Sequence, residues 1–411
     1  MGNLSFNLSP ELEGILEGLH SFIEQEVVER HRQAGEALSE PRLMYGDDGL
    51  FTEKVLESIR EVRMAAAEAG YYTMFVPESL GGGGLGCEAL YRVYEDIHHR
   101  YGPHNWLTTY VVAHWVRGPS HVLEHATEEA RQRVLPHLLS GRDSMCFGMS
   151  EPDAGSDARM MRTRAVPDGD EWVLNGSKIW ITNGPYADFA VIFAVTDPVA
   201  AADRNGGISA FLVPTSTPGF SAEGSIRMFN SPGGDEALLY LDDVRVGKEM
   251  VLGQLGQGFD IALSGVASGR LYNAARAVGL ARWALELGLD YAKRRQTFGV
   301  PISEHQGITF PMAESAMEIH AAHLMGLNCA ILIDQGRSYL KELSMAKAYS
   351  TEVAARAIDR VVQVHGAMGF TNEMGFVEAW QHVRKAGVAD GTAEILRRVI
   401  AQRLLKGDLD L

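Results

Sequence analysis

Apolar side chains recur at helical spacing from the start of the chain. Leu12, Ile15, Leu16, Leu19, Phe22 and Ile23 share one face of a segment opened by Pro10-Glu11, which predicts an amphipathic helix. Thr52 stands where it would cap a second helix that ends at Gly70. Further helices are expected over about 88–101, 110–124 and 127–140. The glycine-rich stretch Gly81 to Gly86 reads as a loop between helices, because no strand precedes it and no Gly-Lys-Ser/Thr follows.

The period changes after Gly141. From Cys146 to Val251, strand-like runs are separated by Gly, Asn, Asp and Pro. Residues 171–174 and 178–182 flank Asn175-Gly176, a pair favoured in two-residue hairpins. Further strands are expected at about 187–196, 208–213 and 237–241. Their spacing predicts a small antiparallel β-barrel or sandwich. No strand–helix alternation appears, which argues against a Rossmann domain, and Gly253, Gly256 and Gly258 open a helix with no βαβ unit before them.

From Phe259 onward the helical period returns, over about 259–297, 303–335, 338–365, 373–386 and 392–406. The three longest helices cannot bury their apolar faces alone and should pack as an antiparallel bundle. Ala274, Ala275, Ala277, Ala281, Ala346, Ala348, Ala354, Ala355 and Ala357 suit close helix contact. The expected fold is α+β and multidomain: an N-terminal helical domain over 1–144, a middle antiparallel β domain over 145–254, and a C-terminal helix bundle over 255–411.

Composition narrows the class. A chain of 411 residues, 46% hydrophobic and 22% charged, reads as soluble and globular. Its net charge of −16 offers no phosphate-neutralising face, so a nucleic-acid partner is not expected. Cys87, Cys146 and Cys329 lie far apart without a CxxC, so neither a disulfide framework nor a metal site is expected. No uninterrupted run of 18 apolar residues occurs, and no membrane span is expected. The first ten residues lack the basic and apolar blocks of a secretory signal. A cytoplasmic location is expected, or an organelle matrix if a presequence has been removed.

Candidate chemistry begins at Phe147-Gly148-Met149-Ser150-Glu151-Pro152-Asp153-Ala154-Gly155-Ser156-Asp157. Backbone N–H groups and small hydroxyls in such a loop can meet the heteroatoms of a polar planar ring. Trp180-Ile181-Thr182-Asn183-Gly184 adds an aromatic wall and another hydroxyl. Either segment alone reads as a turn or a half-buried strand. Together they resemble the "TEPxAGSD" and "WITNG" segments that bracket the flavin in acyl-CoA dehydrogenases.

The resemblance runs, in order, over nearly the whole chain. Arg295-Gln296-Thr297-Phe298-Gly299 and His305-Gln306 resemble the family's FAD contacts across a dimer interface. An arginine there suits a pyrophosphate, though at a helix C-terminus it also complements the dipole. Gln363-Val364-His365-Gly366-Ala367-Met368-Gly369-Phe370 is similar to the family's "QxxGGxGF".

The resemblance implies the acyl-CoA dehydrogenase fold and FAD as cofactor. Phe147, Met149, Ser150, Ser156, Trp180, Ile181 and Thr182 would line the flavin from one subunit. Arg295, Thr297, Phe298, Gln306, Gln363, Val364, Gly366, Ala367, Thr392 and Glu394 would complete FAD sites in a homodimer or homotetramer. Ser156, Arg270 and Gly391 would meet the substrate.

In Asp390-Gly391-Thr392-Ala393-Glu394, Thr392 is a good N-cap for a helix through Ile395, Leu396, Val399 and Ile400. An acid before such a cap can be a second cap, a solvated turn residue or a general base. By resemblance it is the base, in the place of the usual glutamate of "YEGT". The reaction implied is α,β-dehydrogenation of an acyl-CoA to the 2-enoyl-CoA. Asp390 would abstract the α-proton as hydride passes to flavin N5, and an electron-transferring flavoprotein would accept the electrons. The thioester carbonyl would be polarised by a backbone N–H near Asp390 and a flavin ribityl hydroxyl.

Three departures from the family pattern bear on this. Aspartate shortens the base by one methylene, roughly 1.5 Å of reach, where about 1 Å of misplacement can cost about 10²-fold. Ala389 replaces the usual aromatic and opens space beside the reacting carbons, which points to a branched or bulky acyl chain. Ala367 replaces the second glycine of its pair. Gly269 stands where isovaleryl-type members carry an alternative glutamate base. Since the nitroalkane oxidase branch also uses aspartate, the alternative is a flavin oxidase or monooxygenase acting on a nitroalkane or other non-CoA substrate.

Overall fold

Helices in the C-terminal half fall close to where the hydrophobic period puts them. The computed structural model describes residues 8–410, so the reading of the first ten residues lies largely outside the described chain. The helices are Gly258–Arg294, Gln306–Asp334, Leu340–His365, Phe376–Ala386 and Ala393–Leu405. The chain divides into two compact units.

Among the described residues, the first unit comprises those up to Gly18, Gly86–Trp106 and those from Ala267 onward. Helix Leu340–His365 packs against Gln306–Asp334, Phe376–Ala386 and Ala393–Leu405. Ala274, Ala275, Ala277, Ala281, Ala346, Ala354 and Ala357 are almost wholly buried, so the small-residue faces do line the helix contacts. Helix Cys87–Tyr101 packs on Gln306–Asp334. There a Cβ on Gly326 would stand 2.3 Å from the Tyr91 ring, so only glycine admits that approach. Glu95 is buried and accepts from Arg282 Nη1 at 2.6 Å and pairs with His323 Nδ1 at 2.7 Å, tying three helices together.

Helix Gln306–Asp334 departs from one expectation. Its 29 residues would suffice by length and composition to cross a membrane. Scattered polar residues interrupt its apolar run without making the helix polar on average. Glu314 and Glu318 on this helix pair with Arg356 and Arg360 of its neighbour, as in a core helix of a bundle.

The second unit comprises Leu19–Leu85 and Leu107–Val266. Its helices Glu53–Glu68 and Glu128–Leu139 match expectation. Thr127 caps the latter, accepting from Ala130 N at 3.1 Å, whereas Thr52 occupies the N-cap position without a side-chain capping bond. The helix expected over 110–124 does not form. Two 3₁₀ turns, Trp106–Tyr110 and His121–His125, stand there instead. Pro119 removes a donor and biases Gly118 away from the helical region. Val111, Val112, Trp115 and Val116 are all buried, so the stretch has no single apolar face.

Eight strands form one sheet: β1 (Met145–Gly148), β2 (Arg164–Asp168), β3 (Glu171–Thr182), β4 (Phe189–Val195), β5 (Ile208–Pro214), β6 (Phe220–Glu223), β7 (Glu236–Gly247) and β8 (Val251–Leu252). Their order is β6-β7-β3-β2-β4-β5-β8, with β1 on β4. The sheet is mixed rather than wholly antiparallel. β1 runs parallel to β4 from Met145↔Phe189 to Gly148↔Ile192, and β2 meets β4 in parallel at Arg164↔Val195. The β2–β3 hairpin lies between β1 and β4 in sequence, and a connection of that length permits a parallel return that a tight turn forbids. β4 and β5 are buried at nearly every position, which is why they read as continuous apolar runs.

Asn175-Gly176 is not a hairpin turn. β3 runs straight through it, with a bulge against β7 between Leu174 and Gly176. Asn175 Nδ2 donates to Asp243 Oδ1 at 2.9 Å and Asp243 N donates back to Asn175 Oδ1 at 2.9 Å. Gly176 has φ +151°, and a Cβ there would lie 2.5 Å from Thr163 Oγ1. A pair that tolerates unusual φ serves a bulge as well as a turn.

Candidate active site

Asp390 lies in the turn between helices Phe376–Ala386 and Ala393–Leu405. Thr392 caps the second of these, its hydroxyl accepting from Ile395 N at 3.3 Å. The turn is left-handed at two consecutive residues, with φ +55° at Asp390 and +97° at Gly391. A non-glycine residue there is strained and persists only where its surroundings hold it.

Three side chains do so. Arg270 Nε donates to Asp390 O at 2.8 Å. Asn273 Nδ2 donates to Asp390 Oδ2 at 2.8 Å. Lys347 Nζ donates to Ala389 O and to Gly391 O, each at 2.8 Å. Arg270 was expected on the substrate side, and its Nε is in fact spent on the main chain of this turn. Asn273 and Lys347 escaped the sequence reading. The available signal was a lysine within the otherwise small and apolar stretch Met345-Ala346-Lys347-Ala348, where the lysine is wholly buried.

The electrostatics follow from that burial. Asp390 is half-buried, and desolvation of its carboxyl outweighs Lys347, Arg270 and the Asn273 hydrogen bond, pushing it up to about 6. Desolvation pushes Lys347 down to about 8, against the opposing pull of Asp390. Between those values both groups are ionised, and the lysine bonds neutral carbonyls instead of the carboxylate.

A second feature of the same unit is a cleft of 530 Å³. Arg295, Thr297, Gln363, Val364, Gly366 and Ala367, all expected cofactor residues, line it together with Tyr291, Ile302, His305, Ile308, His365 and Met368. Tyr291 and His365 stack with ring centroids 4.3 Å apart. His305 Nε2 is buried with no hydrogen-bond partner among the described residues. Gly366, at φ +60°, ends helix Leu340–His365 at the cleft wall. A guanidinium, a carboxamide, a hydroxyl and an unsatisfied imidazole nitrogen around one cleft suit a ligand with phosphate and ribose groups. Phe298 and Gln306 do not line it. Phe298 is 98% exposed in the hairpin Gln296–Thr297/Val300–Pro301, and Gln306 is exposed at a helix start.

In the sheet unit, Ile179 N donates to Ser150 O at 3.0 Å, which lays the 149–151 loop along β3. Lys178, wholly buried, donates to Glu151 Oε1 at 2.8 Å. Glu151 also accepts from Arg162 N at 2.5 Å and Thr163 N at 3.0 Å. Desolvation alone would raise the Glu151 carboxyl, but Lys178 and these bonds hold it below its ordinary range.

Met149, Ser150 and Thr182 are half-buried, and Ser156 is exposed. Trp180 sits at a second bulge with φ +64° and is 56% exposed. An exposed tryptophan on a strained backbone is an unsatisfied surface and a candidate ligand wall. Phe147 and Ile181 turn their side chains into the core, leaving only main-chain atoms for a ligand.

Residues 9–142, 146–243 and 256–405 match the acyl-CoA dehydrogenase N-terminal, middle and C-terminal domain families respectively. The human mitochondrial short-chain specific acyl-CoA dehydrogenase is 37% identical over 337 residues, 82% of this chain and 80% of that protein. Butyryl-CoA dehydrogenase from Megasphaera elsdenii superposes with a TM-score of 0.83 at 27% identity, over 98% of this chain and all of that one. PigA, solved with FAD and proline, superposes with a TM-score of 0.85 at 25% identity, over 98% of this chain and 99% of the other.

Proposed function

The chain belongs to the acyl-CoA dehydrogenase family, FAD-dependent oxidoreductases acting on the CH–CH bond of acyl-CoA thioesters, and on that premise we propose that Asp390 is the base that removes the α-proton. The observation that carries this reading is a desolvated carboxyl near 6, gripped through its main chain and one oxygen. Such a group is ionised at neutral pH yet a stronger base than an ordinary aspartate. Below about 6 it is protonated and cannot accept the proton.

A backbone N–H of the same turn polarises the thioester carbonyl and so acidifies the α-carbon. Bound FAD supplies the two-electron acceptor for hydride from the β-carbon. The cleft donors fit that cofactor: Arg295 for the pyrophosphate, Gln363 and Thr297 for neighbouring oxygens, and His305 Nε2 for an acceptor it otherwise lacks. Met149, Ser150, Ser156, Trp180 and Thr182 are proposed to line the ring, with Phe147 and Ile181 contributing main chain alone. Phe298, Gln306 and the Thr392–Glu394 helix start are assigned to FAD contacts in a homodimer or homotetramer. Domain boundaries near 144 and 254 accompany this reading.

For substrate we propose an acyl-CoA with a branched or bulky chain, taken up in the space left by a short base beside Ala389. An electron-transferring flavoprotein would re-oxidise the enzyme. The test is anaerobic loss of flavin absorbance across straight and branched acyl-CoA esters. Failure of every ester to bleach the flavin sinks the proposal, and oxygen uptake with a nitroalkane would instead support a flavin oxidase.

A further inference from the structure

The base turn is gripped from two sides. On helix Gly258–Arg294, Arg270 and Asn273 stand three residues apart and so share one face. The first holds the main chain of Asp390 and the second its side chain, both at 2.8 Å. From helix Leu340–His365, Lys347 bonds the carbonyls on either side of Asp390. Together Arg270 and Lys347 fix the left-handed backbone, but an aspartate still has two free side-chain torsions. Among the described residues, it is Asn273, 7% exposed, whose hydrogen bond to Oδ2 constrains those torsions.

We propose that Asn273 is a positioning residue for the base: its carboxamide pins Oδ2 and presents Oδ1 to the substrate's α-proton. The inference rests on the reading of Asp390 as the base. A short carboxylate has little reach, so its one free oxygen must be aimed instead of extended, and a misdirection of about 1 Å is worth about 10²-fold in rate. An amide suits the task because it donates a hydrogen bond without titrating. The hydrogen bond also favours the ionised carboxylate. The charged groups facing that carboxylate are Arg270 and Lys347, from the two helices named, and Glu394 acts on Lys347 from helix Ala393–Leu405.

The test is Asn273→Leu in the FAD-bound enzyme, with Asn273→Ser as a smaller donor-bearing variant. The rate of anaerobic flavin reduction by butyryl-CoA and isobutyryl-CoA is followed against pH. Asn273→Leu should lower the plateau rate about 10–100-fold and move the acid limb up by about one pH unit, with little change in KM. Asn273→Ser should fall between it and the native enzyme, and it carries the pH test if Asn273→Leu does not fold. Thermal stability gives a second readout: the loss from Asn273→Leu should be larger at pH 8 than at pH 5, and this pH dependence should vanish in an Asp390→Asn background.

An acid limb and plateau unmoved by either variant, with Asp390→Asn inactive, overturns the inference and leaves the base reading standing. Full activity in Asp390→Asn overturns both.

Discussion

Replacing Asp390 by asparagine separates stability from turnover at a single position. The substitution is isosteric, and the new amide can turn its oxygen toward Asn273 Nδ2, so the 2.8 Å contact survives. Arg270 and Lys347 bond main-chain oxygens and are undisturbed. What disappears is a carboxyl that burial has raised from its ordinary 3.8 to about 6. The sign follows from proton counting. The unfolded chain loses this proton first, so the native protein loses stability as pH rises from about 4 to about 6.

At about 1.4 kcal/mol per pH unit, the full loss is up to about 3 kcal/mol, and partial exposure of Asp390 reduces it. Roughly half is already present at pH 5 and the rest develops by pH 8. Asp390→Asn should therefore melt higher than the native protein, with the gap wider at pH 8 than at pH 5. Flavin reduction by an acyl-CoA should meanwhile fall by about 10²–10⁴-fold, the usual worth of a positioned base. Differential scanning calorimetry at the two pH values, paired with stopped-flow reduction, reads both. A gap independent of pH would refute the electrostatic argument, and retained reduction would refute the catalytic one.

Gly391→Ala forces alanine to φ +97° and brings a Cβ to 3.1 Å from Arg270 Nη2. The expected cost is about 1–3 kcal/mol of stability, with a lower reduction rate as Arg270 is displaced, read by thermal melting and stopped flow. Lys178→Met leaves the buried Glu151 carboxylate without its cation and should cost about 3–5 kcal/mol, seen as a lower denaturation midpoint. Arg295→Gln removes the guanidinium of the 530 Å³ cleft and should weaken FAD retention about tenfold or more, measured as free flavin after gel filtration. Unchanged retention would place the pyrophosphate elsewhere.

The parts of this fold legible in the chain are those set by neighbours a few residues apart. The bundle helices carry their period and small-residue faces in the sequence, and Thr392 announces the helix it caps. What failed depended on a distant partner in one case and on a local breaker masked by apolar density in the other. Asn175-Gly176 looks the same in a turn or a bulge, and only Asp243 on β7 decides between them. The 110–124 stretch is dense in apolar residues because it is buried all round, and that density imitated a helix until Pro119 is weighed against it.

The site divides in the same way. Asp390 is conspicuous in its turn, but nothing local reveals that its backbone is left-handed or that its carboxyl is raised. The backbone is held by Arg270, more than a hundred residues upstream, and by Lys347, about forty residues before it in a different helix. Burial raises the carboxyl against the opposing pull of Lys347, Arg270 and Asn273. A lysine in a helix reads by default as a solvated charge. Its complete burial under two carbonyls converts it into the prop of a strained turn. The shortness of Asp390, visible from the sequence as a defect of reach, is in the folded chain matched by a grip on its main chain, both flanking carbonyls and one carboxylate oxygen. On the proposed reading of Asp390 as the base, precision of aim is the property on which catalysis by so short a carboxylate depends.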